Sequence, residues 1–307
     1  MEILVDRRPV FCRGFMLLAV CISPGVPPGG FLPSLAAQET VNVGRPIAPD
    51  ASIKIWNGGG SVRVEGWETD SLDVSGEVDE VGGGRFFLGV EADVAKLAIE
   101  GDQGEVSGRL VVKVPARATV WIRTASADIE VRGLEGSVDI NTVAGRVDVQ
   151  GRPEVLYAES MQGDMDLHVT AGIARAKAGS GNITFFGPAQ DLALTSVSGS
   201  LDVTAPELRR GRFNSVDGDI MFDGAVGSAA ALVFETHSGN VTLHLPPDLA
   251  ADFRISTFLG QISVDHPQAP RPEEGAGRLS LEFEAGDGGG EVEVRCYSGS
   301  VIIETRS

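Results

Sequence analysis

"TVAGRVDV" (Thr142–Val149), "SMQGDMDL" (Ser160–Leu167), "AGSGNITF" (Ala178–Phe185) and "SVSGSLDV" (Ser196–Val203) are four writings of one eight-residue unit. Glycine stands fourth in each, a polar residue follows it, and an apolar–polar–apolar triplet closes the unit. The glycines are Gly145, Gly163, Gly181 and Gly199, spaced by 18 residues each time. A fixed period of this length marks a repeat architecture before any single residue is weighed.

The unit continues in both directions. Upstream lie "NGGGSVRV" (Asn57–Val64) and "TASADIEV" (Thr124–Val131), the latter with Ala127 in the glycine place. Downstream, "SVDGDIMF", "THSGNVTL", "TFLGQISV" and "CYSGSVII" carry Gly218, Gly239, Gly260 and Gly299. Their steps are 19, 21, 21 and 39, so the last interval holds an insertion, read as the Pro/Gly/charge loop 266–277. Between the units runs a second alternation, as in "GSVDIN" (Gly136–Asn141), "VLYAES" (Val155–Ser160) and "ALVFET" (Ala231–Thr236). Two short period-2 segments per repeat predict strands, and no long stretch shows the 3.6 period of a helix.

The fold expected is therefore all-β: a β-solenoid with coils of 18–21 residues and two short strands per coil. Nine or ten coils stacked at about 4.8 Å would make a rod roughly 40–50 Å long. A meandering β-sandwich or prism is the alternative, because it tolerates the drift in period. The fixed glycine answers a corner that needs either φ > 0 or no side chain. Three places before it stand only small residues: Thr124, Thr142, Ser160, Ala178, Ser196, Ser215, Thr236, Thr257 and Cys296. They predict one stacked column whose hydroxyls bond nearby backbone, with Cys296 as a packing residue.

Composition sets the address and excludes some partners. The chain has 307 residues, 40 glycines and a net charge of −18. Nucleic acid and anionic lipid both require a basic footprint, so the overall balance argues against them. Arg7, Arg8 and Arg13 precede the short apolar core "FMLLAVCI" (Phe15–Ile22), and small residues follow at "SLAAQ". This reads as a signal peptide over 1–37, cleaved near Ala36 or Ala37, and too short for a transmembrane helix. Val20 is bulky where a lipoprotein box takes a small residue, which disfavours lipid anchoring at Cys21. Cleavage would also remove Cys12, leaving Cys296 alone and no internal disulfide. The layout expected is a signal peptide (1–37), a linker (38–49) and one solenoid domain (50–307). The protein is then periplasmic, cell-surface or secreted.

A search for chemistry returns no catalytic, cofactor-binding or metal site. Asp164, Asn182, Asp219 and Asn240 follow the repeat glycine, and Asp128 follows Ala127 in the same place, a column that could offer oxygens to Ca²⁺. Arg146 and Gln261 interrupt it, and Asx residues at turns bond their own backbone. Asp139, Asp148, Asp166 and Asp202 alternate with apolar neighbours, so they belong on outer faces, where they solvate a sheet and discourage edge pairing. His168, His237, His244 and His266 show no ligand spacing, and the glycine runs at 82–84 and 288–290 lack the lysine of a phosphate loop. Trp56, Trp67 and Trp121 are candidate contact residues, Trp67 in "EGWET" foremost, since aromatic rings stack on sugars and anchor interfaces.

Four stretches carry a family resemblance: "IWNGGGSVRVEGWETDSLDVSGEV", "VKVPARATVWIRTASADIEVRGLEGSVDINTVAGRVDV", "PPDLAADFRISTFLGQISV" and "GDGGGEVEVRCYSGSVII". In that order they resemble the putative-adhesin domain of bacterial envelope proteins, a β-strand-repeat family related to autotransporter-adhesin head domains. Ala127 and Cys296 depart from its glycine and threonine. The resemblance covers residues 50–307 and implies a right-handed β-solenoid, an extracytoplasmic location and no catalytic residues. The reading is a non-enzymatic binding or structural module of the envelope, with polysaccharide or an envelope protein as partner. The alternatives are a polysaccharide-degrading β-helix enzyme and a scaffold that self-assembles through exposed terminal coils such as "SVIIETRS". Oligomeric state is left open.

Overall fold

A computed structural model describes residues 38–79, 83–101, 106–275 and 277–305. The expected signal peptide, with Cys12 and Cys21, lies outside the described residues. Strands begin with β1 (Gln38–Pro46), β2 (Ser52–Asn57), β3 (Gly59–Trp67), β4 (Ser71–Asp79), β5 (Arg85–Glu91), β6 (Val94–Glu100) and β7 (Ser107–Pro115). The regular part follows as β8 (Thr119–Thr124), β9 (Asp128–Arg132), β10 (Ser137–Thr142), β11 (Val147–Gly151), β12 (Val155–Ser160), β13 (Met165–Val169), β14 (Ala171–Ala178) and β15 (Ile183–Phe186). It continues with β16 (Ala189–Ser196), β17 (Leu201–Ala205), β18 (Leu208–Ser215), β19 (Ile220–Gly224), β20 (Ala231–Thr236) and β21 (Val241–Leu245). Last come β22 (Ala251–Thr257), β23 (Ile262–Val264), β24 (Glu273–Gly275), β25 (Arg278–Ala285), β26 (Gly290–Cys296) and β27 (Val301–Thr305).

Alternate strands fall into two sheets, one of 13 strands and one of 14. Each coil gives one strand to each sheet, so the chain winds as a flattened solenoid with its core between the sheets. Ser137 pairs with Val155 and Val155 with Ile173, parallel and 18 residues apart, which is the sequence period seen as register. Alternation then sorts every coil: Val138, Ile140, Thr142, Val147 and Val149 turn inward and are buried, while Asp139 and Asp148 face out. Wider coils hold larger side chains. Phe213, Phe222 and Phe234 pack with ring centroids 4.9–5.8 Å apart, where the step has grown to 19 and 21 residues.

The structure also settles why the corner takes glycine. Of the eight repeat glycines, Gly145 alone has a left-handed φ, +101°. The others are required by close approach. A Cβ on Gly163 would lie 1.8 Å from the Gly145 carbonyl oxygen, one on Gly181 2.1 Å from that of Gly163, and one on Gly199 1.9 Å from that of Gly181. Each glycine is the seat for the carbonyl of the coil before it.

The ends depart from chain order, and here the sequence expectation needs correction. The β2–β3 coil lies inside the β6–β7 coil, which is later in sequence. At the other end the β26–β27 coil is threaded between the β20–β21 and β22–β23 coils, with Ala231 paired to Glu291 across 60 residues. The corner glycines record the same order, since Gly299 seats against Gly239 and Gly260 against Gly299. The stack thus holds eleven coils, and the C-terminal strand β27 is flanked on both edges by β21 and β23. The "VIIET" strand is therefore no open end. The outer coils carry antiparallel covers instead: β4 and β5 at one end, β25 and then β24 at the other. Residues 38–49, expected as a linker, contain β1, which pairs antiparallel with β4, and the 266–277 loop contains β24. At the C-terminal end the bare edges are the three-residue β23 and the three-residue β24 with Glu273–Glu274, features that hinder edge-to-edge growth, while at the other end the outermost strands are β1 and β5, nine and seven residues long.

Two outcomes follow. Gly163→Ala should lower stability by at least about 3 kcal/mol, because overpacking against backbone cannot relax, while Gly227→Ala, whose Cβ meets nothing within 4 Å, should stay within about 0.5 kcal/mol. Urea unfolding midpoints compare them. Light scattering should show no concentration-dependent growth of rods; polymers lengthening with concentration would refute the capping of the ends.

Candidate functional site

One corner of the coil, where the 14-stranded sheet hands the chain to the 13-stranded sheet, recurs nine times. In five of the nine the hydroxyl of the buried small residue before the turn accepts from the glycine N–H three residues on: Ser160 from Gly163 at 2.8 Å, Ser196 from Gly199 at 2.9 Å, Ser215 from Gly218 at 2.8 Å, Thr236 from Gly239 at 3.0 Å and Thr257 from Gly260 at 3.1 Å. The expected hydroxyl column is present. The polar residue after each glycine works differently from the expectation. The Asp164 carboxylate accepts from the Asn182 N–H at 2.8 Å, Asn182 Oδ1 from the Ser200 N–H at 2.9 Å, and Asp219 from the Asn240 N–H at 2.7 Å. These side chains bond the next coil, not their own turn, and so rivet coil to coil. One oxygen of each is committed to an amide, and the described residues contain no cluster of three or more metal-ligating side chains.

Cys296 takes the hydroxyl place in its coil and is buried; burial pushes its thiol up to about 12. The folded state thus holds the proton more tightly than the unfolded chain, whose thiol titrates near ~8.5. Its contribution is intact below that value and is lost as pH rises toward about 12. Thiol-reactive dye at pH 8 should label Cys296 only as fast as the protein unfolds; immediate labelling of the native protein would contradict the burial.

Between hydroxyl and glycine the chain must turn outward, and the first residue of that turn is often apolar. In spatial order these are Ala125, Val143, Met161, Gly179, Val197, Val216, His237, Tyr297 and Phe258, joined by a backbone hydrogen-bond ladder that runs through the corner. Met161 is 63% exposed, Val197 53%, and Leu259, beside Phe258, 73%. His237 stacks flat on Tyr297 at 4.7 Å, and Tyr297 meets Phe258 at 5.6 Å. The next residues are Ala144, Gln162, Ser180, Ser198, Asp217, Ser238 and Ser298. This edge therefore carries one carboxylate and one imidazole in a chain that is 22% charged. Ridges of contiguous exposed apolar side chains mark contact surfaces. Sequence reading missed this one, although its signal is the plain rule of one residue after the Ser/Thr place.

The other candidates disperse. Trp67 is half-buried, its Nε1 donates to the Ser71 carbonyl at 2.9 Å, and Lys113 lies over its ring, so it is a packed residue and not the foremost contact aromatic. Trp56 and Trp121, each 41% exposed, project from the 14-stranded sheet. Asp139 lies on that sheet, held by Arg123 at 2.7 Å, while Asp148, Asp166 and Asp202 lie on the opposite one, Asp166 held by Arg146 at 2.5 Å. Near them Ser61, Arg63, Arg109, Arg146, Glu130 and Asp148 line a hollow of about 550 Å³. Burial pushes the Glu130 carboxyl up, but Arg132 and Arg63 outweigh it and hold it below the usual carboxylate range. That is the wrong direction for a general acid.

This geometry of stacked two-strand coils is a known one. Residues 154–304 match the Toastrack family. The model, described as Toastrack DUF4097, spans β12 to β27 and leaves the N-terminal coils outside the match. Solved structures share the fold over more of the chain. A "putative lipid binding protein" of Parabacteroides distasonis superposes with a TM-score of 0.56 at 12% identity, covering 88% of this chain and 98% of that one. A "putative adhesin" of Parabacteroides merdae gives 0.51 at 11% identity, covering 88% and 97%. At such identities the likeness is one of fold. These matches agree with the resemblance to a β-strand-repeat adhesin-type domain read from the sequence. No curated protein matches the sequence. Among the described residues no helix is long and apolar enough to cross a membrane.

Proposed function

We propose that this protein is an exported, non-enzymatic β-strand-repeat module that binds an extended partner, polysaccharide or protein, at the bacterial cell envelope. The observation that carries the reading is the apolar ridge along the corner, with Asp217 as its one carboxylate, from Val143 through Met161 and Val197 to Tyr297 and Phe258. A surface that repeats once per coil suits a partner that is itself long, because each coil adds an equivalent contact and the contacts share one rigid frame. The fold neighbours described as a "putative adhesin" and a "putative lipid binding protein" agree with a binding role, and the N-terminal sequence supports export. The acids that a hydrolase would need are spread over both outer faces, and Asp139 and Asp166 are each paired with an arginine.

The test is a polysaccharide and envelope-protein array, with turnover assayed on every hit. The triple variant Met161→Ser/Val197→Ser/Tyr297→Ser should lose at least about tenfold in capture, since exposed anchors carry interface energy, with an unchanged unfolding midpoint. Capture by the variant equal to the parent would sink the ridge. New reducing ends or unsaturated sugars would replace the module with an enzyme.

A further inference from the structure

The outer face of the 14-stranded sheet carries a second surface, remote from the corner and built from its first coils. Lys96, Lys54 and Trp121 are successive cross-strand neighbours on β6, β2 and β8, and the same row continues through Asp139 to Tyr157 on β12. Two residues along, Trp56 stands beside Arg123 on one side and the small Ala98 on the other. Trp56, Trp121 and Tyr157 are each 41% exposed. The Lys54 ammonium lies 4.8 Å over the Trp121 ring. Among the described residues no carboxylate pairs with Lys54 or Lys96, and the nearest acid in the row, Asp139, is already held by Arg123 at 2.7 Å.

Each part of this arrangement has a physical consequence. Strands of the sheet hold Trp121 and Tyr157 two spacings apart, about 10 Å, and keep both rings on one flat face. A flat aromatic face is apolar across its body and matches the C–H face of a sugar ring. Two ammonium groups on adjacent strands, neither of them paired with a carboxylate, offer a local site for carboxylates along a chain laid parallel to the solenoid axis. The overall charge of −18 opposes this only at a distance, because screening confines such repulsion to about 8 Å at physiological salt. We infer that this surface, with Lys54, Lys96, Trp56, Trp121 and Tyr157, binds an acidic polysaccharide whose rings stack on the aromatics and whose carboxylates meet the two lysines. Nucleic acid fits less well. It carries a charge on every nucleotide, and its affinity grows with the number of phosphates neutralised, which two lysines on an acidic protein cannot supply.

The site shares no residue with the corner ridge, so the two proposals fail separately. The test titrates the purified full chain with polygalacturonate, alginate, hyaluronate, neutral dextran and single-stranded DNA, following tryptophan fluorescence. Binding should occur to at least one acidic polysaccharide, should weaken with added salt, and should be absent for dextran. Lys54→Ser/Lys96→Ser should weaken it roughly tenfold, as expected for two exposed charge contacts, and Trp121→Ala should weaken it as well. Lys54→Arg/Lys96→Arg should retain it, and all variants should keep the parent's unfolding midpoint and corner-ridge capture. No binding to any acidic polysaccharide, equal binding of dextran, tighter binding of DNA, or a serine variant indistinguishable from the parent would each overturn the inference.

Discussion

A carbonyl oxygen occupies the place where the next coil's Cβ would be. That single steric fact, repeated from Gly145 to Gly260 along the corner, is what the rest of the molecule depends on. Without side chains there, coils can close to strand spacing through the turn itself, and the hydrogen-bond ladder does not break where the chain passes from one sheet to the other. The small hydroxyl residues beneath and the Asx residues beside the glycine then have fixed partners, one within the turn and one on the neighbouring coil. Because the turn residue before them has no inward place left, it is pushed outward, and an apolar ridge appears as a by-product of the same constraint. Fold and candidate contact surface thus share one cause.

Much of this was legible in the chain. Period-2 alternation fixes which residues face the core, and the 18-residue step appears directly as register between Ser137, Val155 and Ile173. What the letters could not reveal is the order of the end coils. Every coil presents the same apolar pattern to its neighbours, so the β26–β27 coil can stack equally well on the coil before it or slip between two earlier ones. Tertiary pairing decides, aided by the covering strand β25 that closes the outer coil. The linker expectation for 38–49 failed for a similar reason. β1 gains its partner only from β4, beyond the next coil, and its own alternation is too weak to announce a strand.

At the candidate sites the sequence supplied residue types but not exposure. Trp67, Trp56 and Trp121 look alike as letters. The first folds over Lys113 and donates to a backbone carbonyl, while the other two face solvent on a sheet. The glycines were recognised, yet the choice between a left-handed backbone and close approach needed coordinates, and close approach won at seven of eight. The arginines that hold Asp139 and Asp166 lie about one coil away in sequence, a distance at which only register reveals a pair.

One continuous corner column orders the stack and aligns the ridge. Nuclear Overhauser contacts of the Tyr297 ring test this order, since Tyr297 sits on the coil that is threaded out of chain order. The structure predicts contacts from Tyr297 to both His237 and Phe258, which lie 4.7 Å and 5.6 Å from it. Direct contact between His237 and Phe258, with Tyr297 touching only one of them, would contradict it, for the coils would then follow sequence order and the column would be built differently.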